Sequence, residues 1–257
     1  VKPVGTDGKA GYMSPRNLWV TTIGDELRLA TNNRSKVVGV ALKDRAAILP
    51  AGHHANGAYW FDDQAGRFIT STFYMDKLPE WVNKFNKRKL AEKYLSQKWE
   101  TLYPIDTYQQ STADANNYEN GIVDGEKAQL PLDLAALYKK HGYKIIRNTP
   151  FGCNLTFDIA KAAIEGENLG KNTDTDLLTI SCSSTDYIGH QVGVNAVETE
   201  DCYLRLDQAL ADFFAYLDKT IGKGNYLTFL TADHGAVNNA ACLLYTSPSP
   251  RDGATSR

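Results

Sequence analysis

The chain has 257 residues with 28 basic and 30 acidic side chains, so its formal net charge at pH 7 is −2. That near balance gives no electrostatic reason to expect nucleic acid or an anionic membrane surface as a partner. No apolar run approaches the roughly 20 residues that span a bilayer, so no membrane insertion is expected. The length suits one large α/β domain with a sizeable core.

The first part of the chain predicts a helix, a buried strand and a hairpin. Pro15, with apolar residues at intervals behind it, indicates a helix that starts near Ser14. The β-branched run over 36–42 predicts a core strand, and residues 43–54 after it are expected to form a loop. Two short apolar runs within 59–71 flank a turn that contains glycine, which is typical of a hairpin.

The middle of the chain is predicted to form helices on both sides of an irregular segment. Residues 79–93 carry apolar residues at helical spacing, and the basic residues among them most simply form a solvated helix face. Residues 100–131 are polar, rich in aromatic residues and prone to turns, so they are expected to run irregularly on the side of the candidate site. A helix over 132–141, a short extended piece over 144–147 and a helix over 157–166 follow.

Two apolar runs near the end of the chain predict neighbouring strands of a parallel sheet. The first covers 177–182 and the second 226–230, and apolar residues recur at helical period over 206–221 between them. Asn195 and Glu198 are expected to cap that helix. Strand, helix and strand of this length form a right-handed βαβ unit, and ligands of such sheets bind beyond the carboxyl ends of the strands.

Each of these two predicted strands ends in a carboxylate and an imidazole. Asp186 and His190 follow the first strand at i, i+4 spacing, which places both on one face if the chain turns helical there. Asp233 and His234 follow the second strand, and the adjacent Gly235 allows a loop that turns both toward one point. Such N and O ligands suit a borderline metal such as zinc, and two zinc ions about 4 Å apart can clamp a displacement at phosphorus.

Each motif taken alone has a simpler interpretation. An isolated Asp-x-x-x-His is more often a chance surface pair, and an isolated Asp-His-Gly is more often a turn. Lys43 and Arg45 follow the 36–42 strand two residues apart, so in extended chain both side chains leave on one side and can grip phosphate oxygens. By itself that run is most simply a surface charge cluster. The placement of two acid-imidazole pairs at successive strand ends is what favours a functional site.

The end of the chain differs in composition from the rest. Residues 242–257 are rich in Ser, Pro and Arg without apolar periodicity, and we interpret them as a non-native tail. Residues 1–241 are expected to form one domain with insertions. The four cysteines have no CxxC spacing, so neither a disulfide framework nor a thiolate metal site is predicted.

Together these motifs resemble the alkaline phosphatase superfamily. Thr185–His190 and Thr231–Gly235 resemble its two metal-binding motifs, which its type I phosphodiesterases and nucleotide pyrophosphatases share. Residues 13–17, 41–45 (Ala-Leu-Lys-Asp-Arg) and 48–53 resemble its periplasmic bacterial branch, which hydrolyses phosphate monoesters with two zinc ions and a threonine nucleophile. The resemblance implies an incomplete, alkaline-phosphatase-like α/β fold, a three-layer α/β/α sandwich, in a periplasmic or secreted protein.

The resemblance also implies roles for single residues. Four side chains would hold the two zinc ions in two pairs, Asp186 with His190 and Asp233 with His234. Lys43 and Arg45 would grip the non-bridging oxygens of the transferred phosphoryl group and stabilise the transition state by charge. His53 and His54 match no ligand position and are interpreted as structural.

The pattern departs from the superfamily at both ends. There the nucleophilic Thr, an Asp ligand and an Asn beside the phosphate precede the position that matches Val1, and a further His ligand lies well beyond the point where the tail begins. The chain is therefore expected to be a fragment, inactive by itself, of a zinc-dependent hydrolase that acts on small phosphate monoesters through a covalent phospho-threonine. Two alternatives stay open: a phosphodiesterase or nucleotide pyrophosphatase of the same superfamily, which is expected to lack the Lys-x-Arg grip, and a non-catalytic relative that binds metal or phosphate.

Overall fold

Five strands meet in one mixed sheet in the computed structural model, which describes residues 1–116, 119–126 and 129–238. The strands of the chain are β1 (Pro3–Val4), β2 (Val37–Ala41), β3 (Gly57–Asp62), β4 (Arg67–Ser71), β5 (Lys98–Trp99), β6 (Leu132–Asp133) and β7 (Leu177–Ser181). The sheet has the order β1-β4-β3-β2-β7, while β5 and β6 pair separately. β2 is parallel to both β3 and β7, and the outer pairs are antiparallel.

Eight α-helices surround this sheet within the described residues. They are α1 (Ile23–Ala30), α2 (Asp44–Ala51), α3 (Glu80–Lys87), α4 (Leu90–Tyr94), α5 (Leu134–His141), α6 (Phe151–Glu167), α7 (Ser184–Val192) and α8 (Val197–Leu217). Short 3₁₀ turns lie at Lys9–Gly11, Pro15–Asn17, Ile105–Thr107 and Gly142–Asn148, and a π turn at Asp218–Gly222 follows α8. In this part of the chain no helix has the length and apolar character needed to cross a membrane.

The alternation of side chains along β2 divides the core between two faces. Val38 and Val40 belong to the larger apolar cluster, which includes buried residues from α3 to α8. Ala41 belongs to a smaller cluster on the other face, where it meets the buried side of α2 and parts of β3 and β4. Helices therefore cover both faces of the sheet, and the predicted three-layer α/β/α sandwich is confirmed.

Several predicted elements are confirmed with small changes in their bounds. The strand predicted over 36–42 is β2, and the hairpin predicted within 59–71 is formed by β3 and β4, with Phe61 opposite Phe68. The helix predicted over 79–93 is broken into α3 and α4, because Lys89 has a left-handed backbone with φ of 50°. α6 begins at Phe151, six residues before the start expected from the sequence.

The first predicted helix begins later than expected. Pro15–Asn17 form only a 3₁₀ turn, in which the Ser14 hydroxyl accepts a hydrogen bond from the Arg16 amide. The regular helix α1 follows a capping box in which Thr22 and Asp25 each accept from the other's backbone N–H. This reciprocal cap satisfies two of the four free N–H groups at the helix start, which makes it the stronger start signal.

The loop predicted over 43–54 is wrong, because α2 starts there at Asp44. Its apolar residues Ala47, Ile48 and Ala51 are buried against the sheet. Pro50 lies in the last turn of the helix and favoured the loop interpretation. The apolar area buried by this face offsets the helix-breaking cost of one proline.

The extended piece predicted over 144–147 is also wrong, since Gly142–Asn148 form a 3₁₀ turn. Ile145 and Ile146 are both fully buried in the larger cluster. Their β-branched side chains suggested a strand, but β propensity mostly reports packing and yields to tertiary context. The turn directs the next residue, Arg147, toward the ends of β2 and β3.

The expected cap of α8 is wrong as well. The residue at the cap position is Ala196, and no side chain bonds the free N–H groups of the first turn. Glu198, which was expected to complete a capping box, is fully buried instead. The predicted helix itself is confirmed, with Phe213 and Leu217 on its buried side.

The second strand of the predicted βαβ unit is absent from the described sheet. Residues 226–231 form no strand, and Leu227, Phe229 and Leu230 are between 69% and 83% exposed. β7 pairs only with β2, and all of its residues are partly exposed, whereas those of β2 are all buried. The outer edge of β7 is therefore unpaired within the described residues, and the segment at 226–231 does not occupy it.

The domain expected over 1–241 stays a prediction. The tail at 242–257 lies outside the described residues.

The close contact between β2 and α2 gives a stability prediction. A Cβ atom on Gly39 would lie 2.2 Å from the carbonyl oxygen of Ala47 and 2.9 Å from Cβ of Ala51. We expect Gly39→Ala to lower the free energy of unfolding by about 1–3 kcal/mol or more, because backbone must move to relieve the clash. The midpoint of urea unfolding measures the change.

Gly189→Ala is the matched control for this substitution. Gly189 lies within α7, and nothing lies within 4 Å of the added Cβ. Alanine there should raise the free energy of unfolding by about 1 kcal/mol through helix propensity. An equal effect of the two substitutions would show that β2 and α2 are not in close contact.

Candidate metal and phosphate site

The site is built where two parallel neighbouring strands end. β2 and β7 are in register through the pair Ala41 and Ser181, so the chain leaves both strands at the same edge. Lys43 follows β2, and Asp186 follows β7 in the first turn of α7. The Lys43 Nζ donates a short ion-paired hydrogen bond to Asp186 Oδ2, and these side chains are only 27% and 23% exposed.

Two imidazoles converge on the other oxygen of Asp186. His190 lies one turn further along α7, and its Nε2 is 3.2 Å from Asp186 Oδ1. His234 comes from the extended end of the chain, and its Nε2 is 3.6 Å from the same oxygen. Asp233 Oδ2 is 3.7 Å from His234 Nε2, but its side chain is 89% exposed. The structure therefore brings His190 and His234 to Asp186, while Asp233 contacts only His234 among these residues.

A hydrogen bond determines which ring nitrogen of His234 carries the proton and which faces Asp186. Its Nδ1 lies 2.8 Å from the carbonyl oxygen of Gly235, which can only accept, so Nδ1 carries the proton. In the neutral ring, Nε2 then keeps a free lone pair that faces Asp186. The Gly235 carbonyl, followed by the charges of Asp233 and Asp186, raises the pKa of His234.

The neighbouring charges keep Asp186 ionised. Burial by itself raises the pKa of this carboxyl, but the hydrogen bond and charge of Lys43 outweigh it, with help from His190 and His234. The net effect lowers the pKa of Asp186 below its usual value. An ionised carboxylate beside two imidazoles is available as a ligand at neutral pH.

The donor types fit zinc. One carboxylate oxygen and two imidazole nitrogens are ligands that zinc commonly takes in proteins. They would come from Asp186 Oδ1, His190 Nε2 and His234 Nε2, the three atoms that face one another. Among the described residues, no group of three or more His, Cys, Asp or Glu side chains is arranged so that it could hold a metal ion.

Arg45 does not share the position of Lys43. The expectation that both side chains leave on one side required extended chain, whereas the helix α2 begins between them at Asp44. Arg45 is exposed in the first turn of that helix, and no ion pair of its side chain occurs within the described residues. Of the two basic residues, only Lys43 contacts Asp186.

Tyr187 is a contact of the site that the sequence motifs did not single out. The Lys43 Nζ lies 4.5 Å from the centroid of its ring, which is within the range of a cation–π interaction. Arg147 Nη1 donates to the Tyr187 hydroxyl at 2.9 Å. The sequence signal that could have identified Tyr187 is its position next to Asp186, inside the Thr185–His190 motif.

Arg147 links this tyrosine to the ends of two strands. Its Nη2 donates to the carbonyl oxygens of Leu42 and Phe61, at 3.4 and 3.3 Å. Its Nε is 2.8 Å from Asp63 Oδ1, close enough for an ion pair but not aligned as a hydrogen bond. Burial raises the pKa of Asp63 to about 6, against the lowering effect of Arg147. No sequence signal identified this residue, because it lay in a segment predicted to be extended.

The two histidines interpreted as structural lie away from the site. The backbone N–H of His54 donates to Asp25 Oδ1 at 2.7 Å, and its ring Nδ1 is 3.2 Å from the same oxygen. Asp25 is the buried acid that also caps α1. His54 thus ties the end of α2 to the start of α1.

The ion pair predicts a titration change. Replacing Lys43 by Met should raise the pKa of Asp186, because burial is then opposed only by the two histidines. Side-chain carboxyl NMR signals followed against pH measure the shift. Lys84→Met is the control, since that lysine pairs with an exposed carboxylate, Glu80, elsewhere. An unchanged Asp186 titration in Lys43→Met would contradict the pairing.

The chain is similar in sequence to known proteins. The family model described as "Type I phosphodiesterase / nucleotide pyrophosphatase" matches residues 7–246. A Myroides odoratus protein named "Calcium-transporting ATPase" is 57% identical over 241 residues, or 93% of this chain and 44% of that protein. "Alkaline phosphatase PhoV" of Synechococcus elongatus is 55% identical over 251 residues, or 98% of this chain and 46% of that protein.

A solved structure is similar along almost the whole chain. "Alkaline phosphatase PafA" of Elizabethkingia meningoseptica is 53% identical over 242 residues, or 93% of this chain and 44% of that protein. The crystal structure of wild-type PafA superposes with a TM-score of 0.92 at 51% identity, covering 95% of this chain and 47% of that one. The chain thus spans about half the length of the curated relatives that it matches.

Proposed function

Because the chain belongs to the type I phosphodiesterase / nucleotide pyrophosphatase family, we propose that it acts in a zinc-dependent phosphate-monoester hydrolase, an alkaline phosphatase. The observation that carries this proposal is the Lys43–Asp186 ion pair with two imidazoles at the ends of β2 and β7. Two relatives above 50% identity that are named alkaline phosphatases support it. The proposed substrates are small phosphate esters in the periplasm or outside the cell.

Zinc, when bound, supplies a Lewis acid that neutralises charge on phosphate oxygens and lowers the pKa of water. Asp186, His190 and His234 would hold it through the oxygen and nitrogens that already face one another. Asp233 would join them by rotating its exposed side chain inward.

Lys43 is proposed to bind a non-bridging oxygen of the transferred phosphoryl group. Its ammonium is held between Asp186 and the ring of Tyr187, so its position costs little further ordering when substrate binds. The fixed charge stabilises the negative oxygens of the transition state without moving a proton. Arg45 would reach the same group from the start of α2 and add a planar fork of donors.

The proposed reaction passes through a covalent phospho-threonine. Thr185 is poorly suited to supply the hydroxyl, because its Oγ1 donates to the carbonyl oxygen of Cys182 at 3.3 Å. Thr231 is exposed on the extended end of the chain. Neither matches the nucleophile of the superfamily, so we propose that another segment supplies it and that this chain alone has no phosphatase turnover.

Phosphodiester hydrolysis is the second candidate, and the printed description of the matching family favours it. A phosphodiester carries one negative charge on its non-bridging oxygens, whereas a phosphate monoester dianion carries two. The diester therefore gains less from two cationic side chains. The two activities can therefore be separated by removing positive charge at Lys43 and Arg45.

The charge dependence of the two reactions tests the proposal. In the full-length protein with zinc, Lys43→Ala should lower kcat/KM for an aryl phosphate by about 10²-fold, and for a bis(aryl) phosphate by less. Arg45→Ala should act in the same sense. Lys84→Ala, which removes an exposed charge elsewhere, should change neither rate. Equal losses on both substrates would favour the diesterase.

Zinc affinity can be measured on the chain itself. His190→Gln and His234→Gln should each weaken zinc binding about 10-fold or more, since each removes one of few ligands. Competition with a chromogenic chelator gives the affinity, and His54→Gln is the control because that histidine bonds Asp25 at the start of α1 instead. If neither His190→Gln nor His234→Gln weakens zinc binding more than the control does, the metal binds elsewhere. Zinc binding in a full-length protein without turnover would favour the non-catalytic alternative.

A further inference from the structure

Lys43 lies at the junction between β2 and α2, and its position depends on contacts with other elements. Its backbone is extended at the cap position of α2, where its carbonyl oxygen accepts from the Ala47 amide at 3.2 Å. A lysine side chain is a flexible four-carbon stem and loses much rotamer freedom when its ammonium is fixed. The ion pair with Asp186 is one contact that fixes it.

The ring of Tyr187 is a second contact of the Lys43 ammonium. The Lys43 Nζ lies 4.5 Å from the centroid of that ring, within the range of a cation–π interaction. This contact uses neither oxygen of Asp186. It therefore stays available to Lys43 when the Asp186 carboxylate binds another group.

Arg147 holds the tyrosine in place. Its Nη1 donates to the Tyr187 hydroxyl at 2.9 Å, and its Cζ lies 5.6 Å from the centroid of the ring. Asp63 Oδ1, 2.8 Å from the Arg147 Nε, balances the charge of the guanidinium. Lys43 and Arg147 thus contact one ring, and each has a carboxylate of its own, so neither needs the other's counter-charge.

The same guanidinium also contacts the backbone from which Lys43 starts. Its Nη2 donates to the carbonyl oxygens of Leu42 and Phe61, at 3.4 and 3.3 Å. The Leu42 carbonyl belongs to the peptide bond that joins Leu42 to Lys43. Arg147 therefore supports Lys43 at the backbone through Leu42 and at the ammonium through Tyr187. A planar fork of donors suits several acceptors at once, whereas a lysine ammonium does not reproduce it.

Apolar packing fixes the position of Arg147. It follows Ile145 and Ile146, which are both fully buried in the larger cluster, in the 3₁₀ turn Gly142–Asn148. The side chain of Arg147 is itself only 21% exposed. Its location thus comes from the core of the domain and is set before any substrate binds.

We infer that Arg147 and Tyr187 are positioning residues for Lys43, and that through Lys43 they favour phosphate monoesters over diesters. The inference rests on the proposed role of Lys43 in binding the transferred phosphoryl group. A displaced ammonium stabilises the charge of the transition state less well. The loss is larger for a monoester dianion, because it carries more charge on its non-bridging oxygens than a diester does.

The mobility of the Lys43 ammonium tests the positioning without zinc or turnover. Relaxation of its side-chain ¹⁵N NMR signal in this chain gives an order parameter. Tyr187→Leu, which removes the ring, should lower that order parameter more than Tyr187→Phe, which removes only the bond to Arg147. Arg147→Lys should also lower it. An order parameter of Lys43 that is unchanged in both Tyr187→Leu and Arg147→Lys would overturn the inference.

Tyr216→Phe is the matched control for this measurement. Tyr216 also has a lysine over its ring, with the Lys161 Nζ 5.5 Å from the centroid. Its hydroxyl is hydrogen-bonded as well, to the Lys161 carbonyl oxygen at 3.2 Å. This substitution should leave the order parameter of Lys43 unchanged. If it lowers that value as much as Tyr187→Phe does, the effect is not specific to the site and the inference is wrong.

The ratio of the two activities tests the effect on selectivity. In the full-length protein with zinc, Arg147→Lys should lower the ratio of kcat/KM for an aryl phosphate to kcat/KM for a bis(aryl) phosphate by about 10-fold. Tyr187→Phe should lower it less. Partial unfolding removes both activities equally, so a merely structural role would leave this ratio unchanged. Arg88→Met, the control, removes an exposed arginine that lies 5.5 Å from the Phe85 ring, and should not change the ratio.

A double substitution shows whether Arg147 acts through Lys43. In a Lys43→Ala background, Arg147→Lys should cause no further change in the ratio, because the ammonium that it positions is gone. The same fold-change in both backgrounds would overturn the inference. Absence of turnover in the full-length protein would instead overturn the proposed function, and the mobility of Lys43 would still decide whether Arg147 and Tyr187 position it.

Discussion

The ion pair between Lys43 and Asp186 is the contact on which the arrangement of the site depends. It joins the chain beyond β2 to the chain beyond β7, at the edge where these parallel neighbours end. Both side chains are mostly buried, so removing one leaves the other charge without compensation. His190 and His234 approach Asp186 through the oxygen that Lys43 leaves free. The arrangement of these acid and imidazole side chains therefore follows from one pairing.

The rigidity of that pairing comes from the sheet and its covering helices. β2 is buried along its whole length between β3 and β7, with α2 packed so closely that only glycine fits at Gly39. Arg147 then links the ends of β2 and β3 to the Tyr187 ring, against which Lys43 lies. A side chain held on several elements loses little further freedom when a ligand binds, which is how a fold preorganises a site.

Two acids near helix starts, Asp186 and Glu198, have pKa values shifted in opposite directions. Asp186 has a lowered pKa because Lys43 and two imidazoles offset its desolvation. Burial, followed by the charges of Asp114, Glu119 and Asp201, raises the pKa of Glu198 to about 8. Both acids lie in the first turn of a helix, so their position on the helix does not explain the difference. The charges of the neighbouring side chains do.

The sequence by itself determined the elements and motifs whose signal is local. Periodicity identified β2, the β3–β4 hairpin and α8, and the acid-imidazole spacing selected Asp186 and the two histidines that approach it. Only the tertiary structure decided that residues 44–51 are helical, that Arg147 reaches the site and that Glu198 is buried instead of capping α8. It also left 226–230 outside the sheet, although their pattern suits a buried strand. The physical reason is that burial, charge pairing and strand pairing depend on neighbours distant in sequence, which local periodicity does not specify.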